Sequence, residues 1–153
     1  MSATTREEIA AAFFALLETV PGVLATSRRF IPWDHVNETQ MPFLTMLKTG
    51  EGRLRQDDGA EGLPILTLRF RAFIYISAGM DPDDVPDTAM NALLDALDAT
   101  VKPSGTDLLA NRQTLGGLVS HCYPLGRADI YTGDVDGKGI AAIPFEILTG
   151  WFV

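Results

Sequence analysis

The chain has 153 residues, which suits one domain able to bury roughly 68–70% of the surface its unfolded form exposes. Hydrophobic residues make up 46% and charged residues 21%, too apolar a mixture for a disordered chain. Twenty acids against twelve bases give a formal charge of −8, which argues against a protein whose task is to grip phosphate backbones.

The first eight residues carry two acids and no apolar run of the secretory kind. No apolar stretch approaches the ~18 residues of a membrane span, so a soluble protein made in the cytoplasm is expected. Thr5-Arg6-Glu7-Glu8 then offers a capping box, and Ile9, Phe13, Leu16, Leu17 and Val20 follow at helical spacing. Pro21-Gly22 ends that helix. Val23 to Phe30 reads as a first strand carrying Arg28 or Arg29 outward, and Trp33 falls in an irregular loop.

Phe43 to Leu47 predicts a second strand, and the glycine-rich, charge-rich interval from Lys48 to Gly62 reads as a loop. Leu63 to Ser77 predicts a long third strand. Its period of two puts Leu66, Leu68, Phe70, Ala72, Ile74 and Ile76 on one face, and Thr67, Arg69, Arg71, Phe73 and Tyr75 on the other. Asp81, Asp83, Asp84 and Asp87 gather where a second helix begins and complement its dipole. That helix runs from about Pro86 to Val101, buries Met90, Leu93, Leu94, Leu97 and Val101, and closes at Pro103-Ser104-Gly105. Two further strands are expected near Leu118 to Pro124 and Gly139 to Leu148. A turn-rich link between them has Asp134 to Gly139 at its tip.

Helices set between strand meanders predict an α+β fold. We expect a single domain over residues 1–153, with a mixed or mostly antiparallel sheet and two main helices packed on one face. The other face is then free, and Arg69, Arg71, Phe73 and Tyr75 mix charge with aromatic area as interfaces do. Trp33 is a further interface candidate. So are Arg53, Arg55, Asp57 and Asp58, because a glycine-flanked, mixed-charge segment is suited to ordering on assembly.

Residues that carry chemistry are sparse. The two histidines, His35 and His121, are far apart in sequence, and the lone Cys122 has no internal disulfide partner. His121 and Cys122 are adjacent in a strand and point to opposite faces, so with Asp129 they make a poor nucleophile, base and orienter. Asp134-Val135-Asp136-Gly137 begins like a calcium loop, but the twelfth position is Phe145, with no bidentate acid. No phosphate-cradling glycine motif is present. The expectation is no catalytic residue, no metal and no cofactor.

Gln113-Thr114-Leu115-Gly116-Gly117-Leu118-Val119 leads into the C-terminal strands, and its two glycines permit positive φ or close backbone approach. Together with Val20-Pro21-Gly22-Val23, Trp33, the 65–77 strand and the Asn91-Ala92-Leu93-Leu94 helix, this order of elements resembles the tail-terminator (tail-completion) proteins of long-tailed bacteriophages and phage-like particles. The resemblance spans most of the chain and rests on the order and character of elements.

It implies a structural virion protein, not an enzyme, that forms a homo-oligomeric ring, by family habit a hexamer, on the head-proximal end of the tail tube. Its implied partners are the tail tube protein and a head-tail connector or stopper, with DNA passing through the lumen without specific binding. No membrane is involved. Two other classes remain open on the residues alone: a head-tail connector or neck protein, and a small ligand-binding or enzymatic α+β domain, which would need a pocket with convergent polar groups.

Overall fold

Thr5 caps the first helix, α1 (Arg6–Leu17), with its side chain accepting from the Glu8 amide, and the Glu8 carboxylate returns the bond to the Thr5 amide at 2.8 Å. The capping box therefore forms as the sequence dictates and satisfies two donors that would otherwise be orphaned. These positions come from a computed structural model, which describes residues 4–54, 65–77, 85–103, 111–135 and 138–149. The second helix, α2 (Pro86–Val101), has proline in its first turn and buries Met90, Leu93, Leu97 and Val101. Leu94, expected in the same stripe, is half-buried.

Six strands form one sheet among the described residues: β1 (Ala25–Ser27), β2 (Phe43–Leu54), β3 (Ile65–Ser77), β4 (His121–Pro124), β5 (Asp129–Val135) and β6 (Lys138–Thr149). Their spatial order is β1-β2-β3-β6-β4, with β5 also pairing β6. The β1 to β2 pairing is parallel and the rest are antiparallel, so the sheet is mixed and the α+β reading holds. Leu66, Leu68, Phe70, Ala72, Ile74 and Ile76 all face one core with Ile9, Phe13 and Leu17 of α1 and Met90, Leu93 and Leu97 of α2. Both helices thus cover the same sheet face. Phe70 and Phe145 are register partners on β3 and β6, and the Phe13 ring sits against both, with centroids 5.5 and 5.1 Å away.

Four expectations need correction. The first strand is three residues long and not eight, because past Ser27 the chain turns, with the Ser27 hydroxyl donating to the Arg29 carbonyl. Trp33 opens a short 3-10 turn, Trp33–His35. The second strand does not stop at Leu47. Residues 48–54 continue β2 and pair with Ile65 to Phe70, with a bulge between Lys48 and Gly50. Gly50, Gly52 and the charges lower local strand propensity, and pairing along β3 overrides it. Gly52 is there for space, since a Cβ would stand 2.8 Å from Thr67 Oγ1. Finally, the link before the last strand is itself largely a strand, β5, hairpinned onto β6.

Gly116 and Gly117 adopt φ of +76° and +94°, in a turn before β4, and a Cβ at either would meet nothing within 4 Å. Of the two reasons offered for this pair, backbone conformation applies and close approach does not. Gln113, just upstream, is a clasp. Its buried amide donates to the Val101 and Lys102 carbonyls at the end of α2 and accepts from the Leu115 amide, while its backbone carbonyl accepts from the Cys122 amide. One side chain thereby ties the end of α2 to β4.

Candidate assembly surface

The sheet face away from the helices is two different surfaces. At one end, Val36, Met41, Phe43 and Tyr75 form a second buried cluster, with Ile31, Trp33, Phe73 and Ile140 packed on it. Phe43 and Tyr75 are register partners with parallel rings 6.1 Å apart, and the Tyr75 hydroxyl donates to the Ile31 carbonyl at 2.8 Å. Burial raises the Tyr75 pKa above the ordinary tyrosine range, with the Asp34 charge adding to it. The Phe73 ring lies 4.9 Å from that of Phe30, and Lys138 Nζ stands 5.4 Å from the centre of the Trp33 ring.

Tyr75, at 1% exposure, and its half-buried neighbours Phe73 and Trp33 therefore hold the 31–41 segment onto the sheet. As free interface anchors they need correcting: the period of two assigned their face correctly, but the segment that covers it comes from a distant part of the chain.

The middle of the same face is open. A concavity of about 410 Å³ is lined by Gly50, Arg69, Arg71, Gly126, Pro144 and Glu146, among others. Small residues make the hollow, and two arginines stand in it. Gly50, Arg69, Glu146 and Tyr123 form one cross-strand row, with Arg71 and Pro144 in the next. The Glu146 carboxylate is buried and accepts from the Tyr123 hydroxyl at 3.0 Å. That bond and burial hold the Tyr123 phenol in its neutral form, its pKa raised chiefly by burial. Arg69 and Arg71 are both exposed, and among the described residues neither guanidinium has a hydrogen bond or ion pair.

The remaining candidates do not join this site. Arg53 is the register partner of Leu66, so it belongs to the helical side of the sheet, away from Arg69. Arg55, Asp57 and Asp58 lie outside the described residues. On the helical side, Glu51 accepts from Arg6 of α1 at 2.6 Å and also from Lys48, and these cations hold its pKa at about 2. This contact ties β2 to α1 and was not visible in the sequence, where the partners are 45 positions apart.

The groups weighed for catalysis are separated. Cys122 is 1% exposed on the core side, and burial pushes its thiol up to about 12, which suppresses the thiolate that nucleophilic attack requires. His121 lies on the opposite side, its ring 4.7 Å from that of Tyr123, and its Nδ1 accepts from the Gln113 amide. Its pKa is lowered, first by burial and then by the Arg112 charge. Asp129 pairs instead with Arg127 at 3.5 Å. Among the described residues no group of three or more His, Cys, Asp or Glu side chains is placed to hold a metal ion, and Asp136 lies outside them. No helix among them is long and apolar enough to cross a membrane.

No family model matches the sequence, and no curated protein matches it. Among solved structures, the fold is similar to that of a chain in the virion of a native gene transfer agent particle. The TM-score is 0.55 at 11% identity, with 94% of this chain and 95% of that chain covered. At this identity the likeness is one of fold, and it runs nearly end to end in both chains.

Proposed function

We propose that this chain is a structural protein of a phage-like particle, and more narrowly a tail terminator: a ring at the head-proximal end of the tail tube that stops tube growth and presents the docking surface for the head. The observation that carries this reading is the near end-to-end fold likeness to a chain of a gene transfer agent virion. The order of elements in the sequence points the same way.

The mechanism is geometric. Identical subunits joined head to tail close into a ring when the rotation between neighbours divides a full turn, and a closed ring offers the growing tube no further matching end. The chain's formal charge of −8 suits a lumen past which DNA moves without adhering, because an acidic wall repels phosphate. The work is done by surfaces, with no bond made or broken, and the partners are further copies, the tube protein and a connector or stopper on the head side.

The test is genetic. Particles made without this chain are expected to carry overlong tails that fail to join heads, and supplying the chain in trans restores both tail length and attachment. Tails of normal length with heads attached in its absence would overturn the reading.

A further inference from the structure

Arg69 and Arg71 stand two positions apart on β3, in the open concavity of the outer sheet face. Nothing described pairs with either guanidinium, and both carboxylates that line the hollow are already engaged, Glu146 by Tyr123 and Glu51 by Arg6 and Lys48. Two unpaired cations in a hollow on so acidic a chain form a receptor for carboxylates.

The same molecule carries a matching donor. Helix α2 turns Met90, Leu93, Leu97 and Val101 into the core, which leaves Asp95 and Asp98 exposed on its outward face, and neither has an ion pair among the described residues. Residues three apart on a helix place their Cβ atoms roughly 5–6 Å apart. Residues two apart on a strand are separated by about 6.5–7 Å. Two aspartates therefore span nearly the same distance as two arginines.

The two patches lie on opposite sides of the molecule, because α2 covers the sheet face that Arg69 and Arg71 do not share. They are beyond each other's reach within one chain and within reach between copies. We propose that the Arg69/Arg71 hollow of one copy receives the Asp95/Asp98 face of α2 from the next copy. Such a contact uses different patches on its two sides, so it propagates head to tail and closes into a ring or continues as a helix. It rests on the ring reading above and names the surfaces that join neighbouring subunits.

Charge exchange tests the pairing. R69E/R71E and D95K/D98K alter exposed positions only, and unchanged thermal melts by circular dichroism serve to verify the fold. In sedimentation velocity at low salt, wild type is expected to associate. Each variant alone is expected to stay monomeric, with association weakened by more than about ten-fold through like-charge contact. An equimolar mixture is expected to recover the oligomer, with an even number of subunits, because each hollow then meets a stripe of opposite sign.

Variants that assemble as wild type does would overturn the pairing and leave the ring to another surface. Monomeric variants whose mixture stays monomeric would also overturn it, since the charges would then act elsewhere. A wild type that remains monomeric at every concentration would overturn both the pairing and the ring.

Discussion

Replacing Phe13 with alanine is the sharpest test of how this fold is held together. Phe13 has no exposed surface, and its ring meets Phe70 and Phe145, which are themselves register partners on β3 and β6. One side chain thereby fastens α1 to the two strands at the centre of the sheet. Truncating a buried phenylalanine costs about 3–5 kcal/mol, the spread reflecting how well the site collapses. Here the two aromatic contacts, each worth roughly 0.5–1.5 kcal/mol beyond burial, place the loss in the upper half of that range.

For a protein of this size 1 kcal/mol moves Tm by roughly 2–4 °C, so Phe13→Ala should melt roughly 10–15 °C lower. Urea unfolding followed by circular dichroism should show the midpoint falling with the slope unchanged. Leu24→Ala, at a position 65% exposed, is the control and should move stability by no more than about 0.5 kcal/mol. A Phe13→Ala loss below about 1 kcal/mol would refute the packing argument, since no well-filled core site of this kind collapses so cheaply.

Three further outcomes are expected. Gly117→Val should cost about 1–3 kcal/mol through backbone strain alone, because φ is +94° and a Cβ meets nothing; wild-type stability in thermal melts would show that the turn relaxes freely. The Glu51 pKa is lowered from 4.5 to about 2 in the folded chain, so the stability it adds is complete above the unfolded value and is lost as pH falls from 4.5 toward 2. Melting between pH 5 and pH 3 should therefore fall less steeply in Glu51→Gln than in wild type, and identical slopes would contradict the linkage. Tyr75→Phe should cost about 0.5–1.5 kcal/mol at neutral pH by removing the bond to Ile31. The raised Tyr75 pKa stabilises the fold below the ordinary tyrosine value of about 10 and is lost as pH climbs above it. The phenylalanine variant should thus be spared part of the alkaline loss seen by urea titration at pH 11.

Where local signals agreed with tertiary packing, the sequence was readable. The Thr5 capping box, the proline that opens α2 with its apolar stripe, and the two-residue alternation of β3 all appear where their patterns placed them. Residues 48–54 and β5 were not readable, because glycines and acids lowered their strand propensity and their pairing partners lie elsewhere in the chain. Period two separated the core face of β3 from the outer one, and so found Arg69 and Arg71. It gave no means of telling that Tyr75, on the same face, is covered by residues 31–41. The Glu51 contacts and the Gln113 clasp are likewise products of distant chain segments meeting.

If a closed ring of this chain ends a tail tube, as proposed, the ring is visible on the tube itself. Averaged electron-microscope images of tubes assembled in vitro from the tube protein, with and without this chain added, test it most directly. Added protein is expected to appear as a ring at one end of each tube, and tubes so capped no longer lengthen at that end. Tubes that keep growing, with no added density at either end, would contradict it.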